Sequence, residues 1–198
     1  AIGQEVSILT NFLFGLLALL PQLIVSYVVG LGIEFAIAQV RKEEVAEGFL
    51  VSGILIPMIL PIDTPLWMIA VATAFAVIFA KEVFGGTGYN VFNVALVARA
   101  FLFFSYPTKM SGDQVWVRTG DTFGMGAGQV VDGYSGATPL GQIGVTEATN
   151  FSEVTLTGIT GQPLSISDMF FGFIPGSIGE VSTFAILLGA IILIITGV

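Results

Sequence analysis

The sequence predicts an all-α integral membrane protein: a multi-span helical bundle with broken or half helices and one polar extramembrane loop. Three observations carry that reading. Only 10% of the 198 residues are charged, against about 25% in an ordinary soluble domain. Mean hydropathy is +0.94. The apolar residues are gathered into runs that Gly, Pro and charge clusters interrupt, whereas a soluble surface helix confines them to one stripe.

The first apolar run, residues 12–38, stays free of charge until Glu34. At 1.5 Å per residue it is about 40 Å long, more than the roughly 30 Å hydrocarbon core, so it crosses with tilt. Pro21 is a candidate kink. Arg41-Lys42-Glu43-Glu44 is the densest charge in the chain, and its basic pair marks the cytoplasmic side. Residues 49–60 are apolar but too short to cross unaided, and Pro57 and Pro61 interrupt them. They must be extended by their flanks or form a half-helix buried among neighbours.

Pro61 to Pro65 reads as a tight turn, with Thr64 as the start of the next helix. Residues 66–80 make the second span, ended by Lys81, Glu82 and Gly85-Gly86. Residues 91–106 are short again, carry Arg99 in their middle and are closed by Pro107. Residues 108–165 are rich in Gly, Thr, Ser and Asp and hold no apolar run able to span; Trp116 near their start suits an interfacial anchor. A short patch at 166–173 and a long run at 181–198 complete the chain.

The organisation expected is therefore 1–107, about four spans or half-spans; 108–165, a polar outer-face loop; and 166–198, a re-entrant segment and a last helix. No repeat of about 20–50 residues is visible. Alternation from a cytoplasmic Arg41-Lys42 returns the chain to the cytoplasm at Lys81 and delivers 108–165 to the outer face. The start at Ala1 and the end inside an apolar run suggest a piece of something longer.

The net charge of -8 argues against a nucleic-acid partner. With no Cys and no His, cysteine-ligated iron–sulfur clusters and histidine-ligated haem, zinc or copper are excluded. Redox work with this alphabet needs an organic cofactor such as a flavin or quinone.

Five blocks carry a resemblance, in order: VRKEEVAEGF at 40–49, AKEVFGGTG at 80–88, ARAFLFF at 98–104, DGYSGATPL at 132–140 and IPGSIGEVST at 174–183. The chain resembles the B subunits of sodium-translocating NADH:quinone oxidoreductases over nearly its whole length. It is less similar to the related D subunit of the Rnf complex in the first and last blocks. The resemblance implies two inverted halves with broken helices, of which this chain is an internal fragment. It implies a multi-pass subunit of the bacterial inner membrane, working beside other subunits in electron transfer from NADH toward ubiquinone coupled to Na+ export.

It also implies FMN bound through a phosphoester to the threonine of D-x-x-S-G-A-T, here Thr138. Asp132, Ser135, Gly136 and Ala137 form the rest of the motif that a flavin transferase reads, and the loop would lie on the periplasmic side. A non-covalent riboflavin belongs to the complex, and no short motif places it here. A quinone region is implied near Gly30 and Glu34, although the family's glycine pair is broken to Gly30-Leu31-Gly32. A second departure is Val94, where the family has proline after Asn93.

Each candidate has an ordinary structural alternative. The Thr138 motif has the composition of a simple turn. Gly85-Gly86-Thr87-Gly88 could cradle an anion, or close a helix. Glu34 is a quinone or cation contact, or a carboxylate snorkelling from a helix end. Arg99 pairs with flavin phosphate or a carboxylate, or ties broken helices together. Glu180 is a cation ligand or a helix-start acid. Phe101, Phe103 and Phe104 are read as packing. The rival functions are a solute channel or transporter of broken-helix fold, without flavin, and a structural membrane scaffold. In-gel flavin fluorescence separates both from the redox reading.

Overall fold

The computed structural model describes residues 8–45, 47–112, 116, 118, 123, 137–145, 155–158 and 162–197. Among these the chain is all-helical, with one isolated antiparallel bridge between Thr157 and Pro163. α1 (Ile8–Arg41) runs unbroken through Pro21 for 34 residues, about 50 Å. Phe12, Leu16, Ile24, Val28 and Phe35 on it stay exposed, a surface suited to lipid rather than water. Ala18, Gln22, Ser26, Gly30 and Glu34 form its buried stripe at four-residue spacing.

α2 (Phe49–Ile59) has 11 residues, about 16 Å, and cannot span. α3 (Leu66–Ala76) continues through a π-turn, Val77–Lys81, and a 3-10 turn, Glu82–Phe84. Leu66–Phe84 thereby reaches 19 residues; it and Phe12–Arg41 are long and apolar enough to cross a bilayer among the described residues. α4 (Val94–Ser105) and α8 (Thr183–Thr196) are shorter apolar helices. α5 (Pro107–Met110), α6 (Pro139–Val145) and α7 (Ile166–Phe171) are single turns or little more. This is the architecture of a helical membrane protein with half helices.

The core lies where α1 to α4 meet, around Phe49, Ile56, Leu60, Ile69, Val77 and Leu102. Gly30 is required there. A Cβ on it would stand 1.9 Å from Cζ of Phe49, so the absent side chain is what lets the ring of α2 seat against α1. Tyr27 on α1 donates from its hydroxyl to Leu50 O at 2.6 Å.

A helix that stops inside a bilayer leaves carbonyls without water, and each must find a protein donor. The end of α2 shows how this is met. Met58 O accepts from Gly179 N at 3.1 Å and Ile59 O from Arg99 Nη1 at 2.9 Å. In the following turn, Pro61 O and Ile62 O accept from Gln22 Nε2 at 3.1 and 2.6 Å. Three segments far apart in sequence, at Gln22, Arg99 and Gly179, thus converge on the end of α2 and its following turn.

Glu34 pairs with Lys81, and Arg41 with Glu82 at 3.2 Å. These contacts pin the last turns of α1 and α3 together, so the two helices run parallel. At the other end of α3, Asp63 pairs with Arg118 at 2.6 Å, and the rings of Trp67 and Tyr106 meet at 5.6 Å. Tyr106 and Arg118 therefore sit at the end opposite Arg41.

Gly85 closes the Leu66–Phe84 helix in the left-handed region, φ 115°, and its N–H bonds Glu82 O at 3.1 Å. The glycine cluster is thus a helix terminus. α4 starts at Asn93, whose side chain accepts from Ala95 N at 3.0 Å and Leu96 N at 3.2 Å. Two sequence expectations differ. Thr64 does not cap α3: Pro65 is the N-cap, and Thr64 Oγ1 donates back to Pro61 O at 2.8 Å. The polar segment also holds helix, since α6 begins at Pro139, whose fixed φ suits a first helical position. α8 buries no residue; Phe170 and Phe171 of α7 meet Phe184 at 6.0 and 5.9 Å.

Candidate functional site

Asp132, Ser135 and Gly136 lie outside the described residues; Ala137 and Thr138 lie within them. Thr138 stands immediately before α6, and its Oγ1 accepts from Gly141 N at 3.1 Å. Its carbonyl accepts from Gln142 N at 2.9 Å. Gln142 then clamps the entry to this turn. Its Nε2 donates to Ala137 O at 3.1 Å and to Thr157 O at 2.9 Å, while its Oε1 accepts from Thr157 N at 2.9 Å. Ala137 is buried and Thr138 half-buried. A short capped turn, held from both sides, sets the direction of the threonine hydroxyl.

Thr138 lines an open cleft of about 460 Å³ with Arg99, Trp116, Met169, Pro175 and Glu180. That volume lies in the range of small-molecule and cofactor sites, about 300–1,000 Å³. The walls come from α4, from Trp116, from Thr138 and the start of α6, and from the connection between α7 and α8. Arg99 Nη1 donates to Ile59 O at 2.9 Å and contacts Glu180 Oε2 at 3.4 Å. Glu180 also accepts from Ser177 Oγ at 2.5 Å. Trp116 places its ring centroid 5.9 Å from Arg99 Cζ, within cation–π reach. Arg99 therefore ties α4 to the end of the half-helix and also faces the cleft.

Gly30 and Glu34 lie one turn apart on the buried stripe of α1, near the opposite end of the bundle. Glu34 is only 4% exposed and paired with Lys81, so it does not snorkel to the interface. It lines a cavity of about 160 Å³ with Arg41, Glu43, Lys81, Glu82 and Thr87. This cavity is smaller and more charged than an ordinary cofactor pocket. Glu180 precedes α8 but does not cap it, since Ser182 accepts from Ala185 N at 3.2 Å. Phe101 stacks on Phe75 at 4.6 Å, while Phe103 and Phe104 are exposed.

Lys81 as the partner of Glu34 is not foreseen from the sequence. The available signal is one acid and one base, each near the end of an apolar span. Trp116 reads from sequence as an interfacial anchor, and nothing in its local pattern points to Arg99.

Residues 5–198 match the profile of the NQR2, RnfD, RnfE family. The B subunit of a Na(+)-translocating NADH-quinone reductase from Neisseria meningitidis serogroup A is 46% identical over 187 residues, covering 94% of this chain and 42% of the relative. The protein of the same description from Yersinia pestis is 45% identical, covering 93% and 41%. That from Chromohalobacter salexigens is 45% identical, covering 96% and 41%. The chain spans about two-fifths of the length of the curated relatives it matches.

Proposed function

Because the chain belongs to the NQR2, RnfD, RnfE family, we propose that it is part of a membrane subunit in a redox-driven sodium pump. The enzyme is an NADH:ubiquinone reductase that exports Na+, and this subunit passes electrons through FMN held by a phosphoester on Thr138. The observation that carries the reading is the placement of Thr138. The threonine of D-x-x-S-G-A-T stands on a capped turn at the rim of a cleft of about 460 Å³. The names of the relatives point the same way.

When bound, the isoalloxazine supplies reversible electron transfer. The protein supplies position. Thr138 is the tether, Gln142 holds the turn through Ala137 and Thr157, and Asp132, Ser135, Gly136 and Ala137 are the segment a flavin transferase reads during maturation. The cleft fits the group in volume, and it offers one cation, Arg99, among the described lining residues. In this proposal the flavin loop faces the periplasm and Arg41-Lys42 the cytoplasm, in the inner membrane, with other subunits of the complex alongside. Ubiquinone contact is placed at Gly30 and Glu34 on α1. Riboflavin is a further cofactor of the complex, with no site assigned in this chain.

The test is intact mass and in-gel flavin fluorescence of the full-length subunit co-produced with its flavin transferase. Thr138→Val keeps the shape of the side chain and removes the oxygen that joins phosphorus. It is expected to abolish the FMN mass increment and the denatured-state fluorescence. The fold should survive, since losing the Thr138 cap of the short helix α6 costs about 1 kcal/mol. A Thr138→Val subunit that keeps the increment overturns the assignment, and so does an unmodified wild type that is fully active. An unmodified wild type without quinone reductase activity would leave the transporter and scaffold readings standing.

A further inference from the structure

We propose that Arg99 binds the phosphate of the Thr138-linked flavin, using donors that bond no acceptor among the described residues. The inference rests on the flavin reading of Thr138 and assigns a partner within that cleft.

A guanidinium carries five N–H donors in a rigid fork. Both polar contacts of Arg99 use Nη1. Among the described residues, no acceptor lies within hydrogen-bond distance of Nη2 or Nε. Nη1 is anchored on Ile59 O at 2.9 Å, which fixes where the fork stands. The contact to Glu180 is different in kind. At 3.4 Å it is longer than the roughly 2.7–2.9 Å of a charge-assisted hydrogen bond. The side chains of Arg99 and Glu180 are 36% and 56% exposed, so the pair is weak. The Glu180 carboxylate lies closer to Ser177 Oγ, at 2.5 Å.

The cleft therefore holds a cation whose position is set by the Ile59 carbonyl and whose remaining donors meet no acceptor among the described residues. Arg99 is the only cation, and Glu180 the only anion, among the described residues that line it with Thr138. A phosphate joined to both a ribityl chain and Thr138 Oγ keeps one negative charge. Beside Glu180 alone it would be repelled; beside a free guanidinium edge it gains charge-assisted, bidentate hydrogen bonds. Trp116, 5.9 Å from Cζ, restricts the plane of the fork. Glu180 retains Ser177 when Arg99 turns to the phosphate. Because Arg99 also holds Ile59 O, this contact links the flavin to the end of half-helix α2.

The experiment uses the full-length subunit in its complex, co-produced with the flavin transferase, in wild-type, Arg99→Gln, Arg99→Lys and Glu180→Gln forms. Intact mass first establishes loading of Thr138. Acrylamide quenching of the native flavin is then measured, with the Thr138→Val complex subtracted to remove other flavins. Arg99→Gln is expected to keep the mass increment while the docked population of the flavin falls by about tenfold, read as a rise in quenching. Arg99→Lys, with charge but no fork, should fall between, and Glu180→Gln should not increase quenching. If Arg99→Gln fails to assemble, Arg99→Lys carries the comparison. Full loading with unchanged quenching in every Arg99 variant overturns this proposal and leaves the flavin on Thr138 intact. A wild type without the mass increment overturns both.

Discussion

Lys81→Met is expected to be among the most damaging single changes to the membrane part of this protein. The side chains of Glu34 and Lys81 are 4% and 5% exposed, so neither can turn to water when its partner is lost. Removing one member of a buried ion pair costs about 3–5 kcal/mol, because the other charge remains buried and uncompensated. Each kcal/mol moves the melting temperature by roughly 2–4 °C for about 150–250 residues and by less in the longer full-length subunit, so the expected loss there is several degrees. The Arg99–Glu180 pair supplies the control. With side chains 36% and 56% exposed, it is expected to contribute about 1 kcal/mol or less. The pair Glu34→Leu plus Lys81→Met should recover most of the loss, because replacing both charges by apolar groups removes the burial penalty. The assay is thermal unfolding of the full-length subunit in its complex in detergent, followed by near-UV circular dichroism. A Lys81→Met melting temperature within about 2 °C of wild type, or a double variant no better than the single, would refute the buried contact. The parallel pinning of α1 and α3 would fall with it.

Three further outcomes follow from the packing. Gly30→Ala should cost about 1–3 kcal/mol, since its Cβ falls 1.9 Å from Phe49 Cζ; the cost should shrink in a Phe49→Leu background, and equal costs in both would show that the two do not touch. Val94→Pro should be tolerated and add about 0.4–1 kcal/mol. Val94 is the first residue of α4, and Asn93 already holds φ -69° and ψ 122°, which suits a residue before proline. A lower melting temperature would mean that the buried Val94 side chain outweighs the backbone gain. A cysteine at exposed Thr108 should react with a membrane-impermeant maleimide in intact spheroplasts, and one at exposed Glu44 only after lysis. Labelling of both from one side would break the alternation of spans.

Much of the architecture could be read from local pattern. The short runs at α2 and α4, the long ones at α1 and α3, and the glycine stop at Gly85 match their helices closely. Apolar length against bilayer thickness is a one-dimensional property, and so are Gly and Pro punctuation. The D-x-x-S-G-A-T stretch was legible for a similar reason, since a short motif is a local property of the chain. Helix inside the polar segment was less legible. α6 depends on a threonine cap and on Gln142 bridging to Thr157, and neither shows in hydropathy.

By itself, then, the sequence determined that the chain is helical and made for lipid, and that its apolar runs are unequal, some long enough to cross and others broken. Only the tertiary structure decided what surrounds those features. Arg99 could have faced a carboxylate, a carbonyl or solvent. It donates to Ile59 O, 40 residues away, because a half-helix ending in the membrane must find donors wherever the fold supplies them. Glu34 could have snorkelled; Lys81, 47 residues on, buries it instead. Such pairings depend on register between helices, which no local spacing encodes, and the cleft at Thr138 exists because of them.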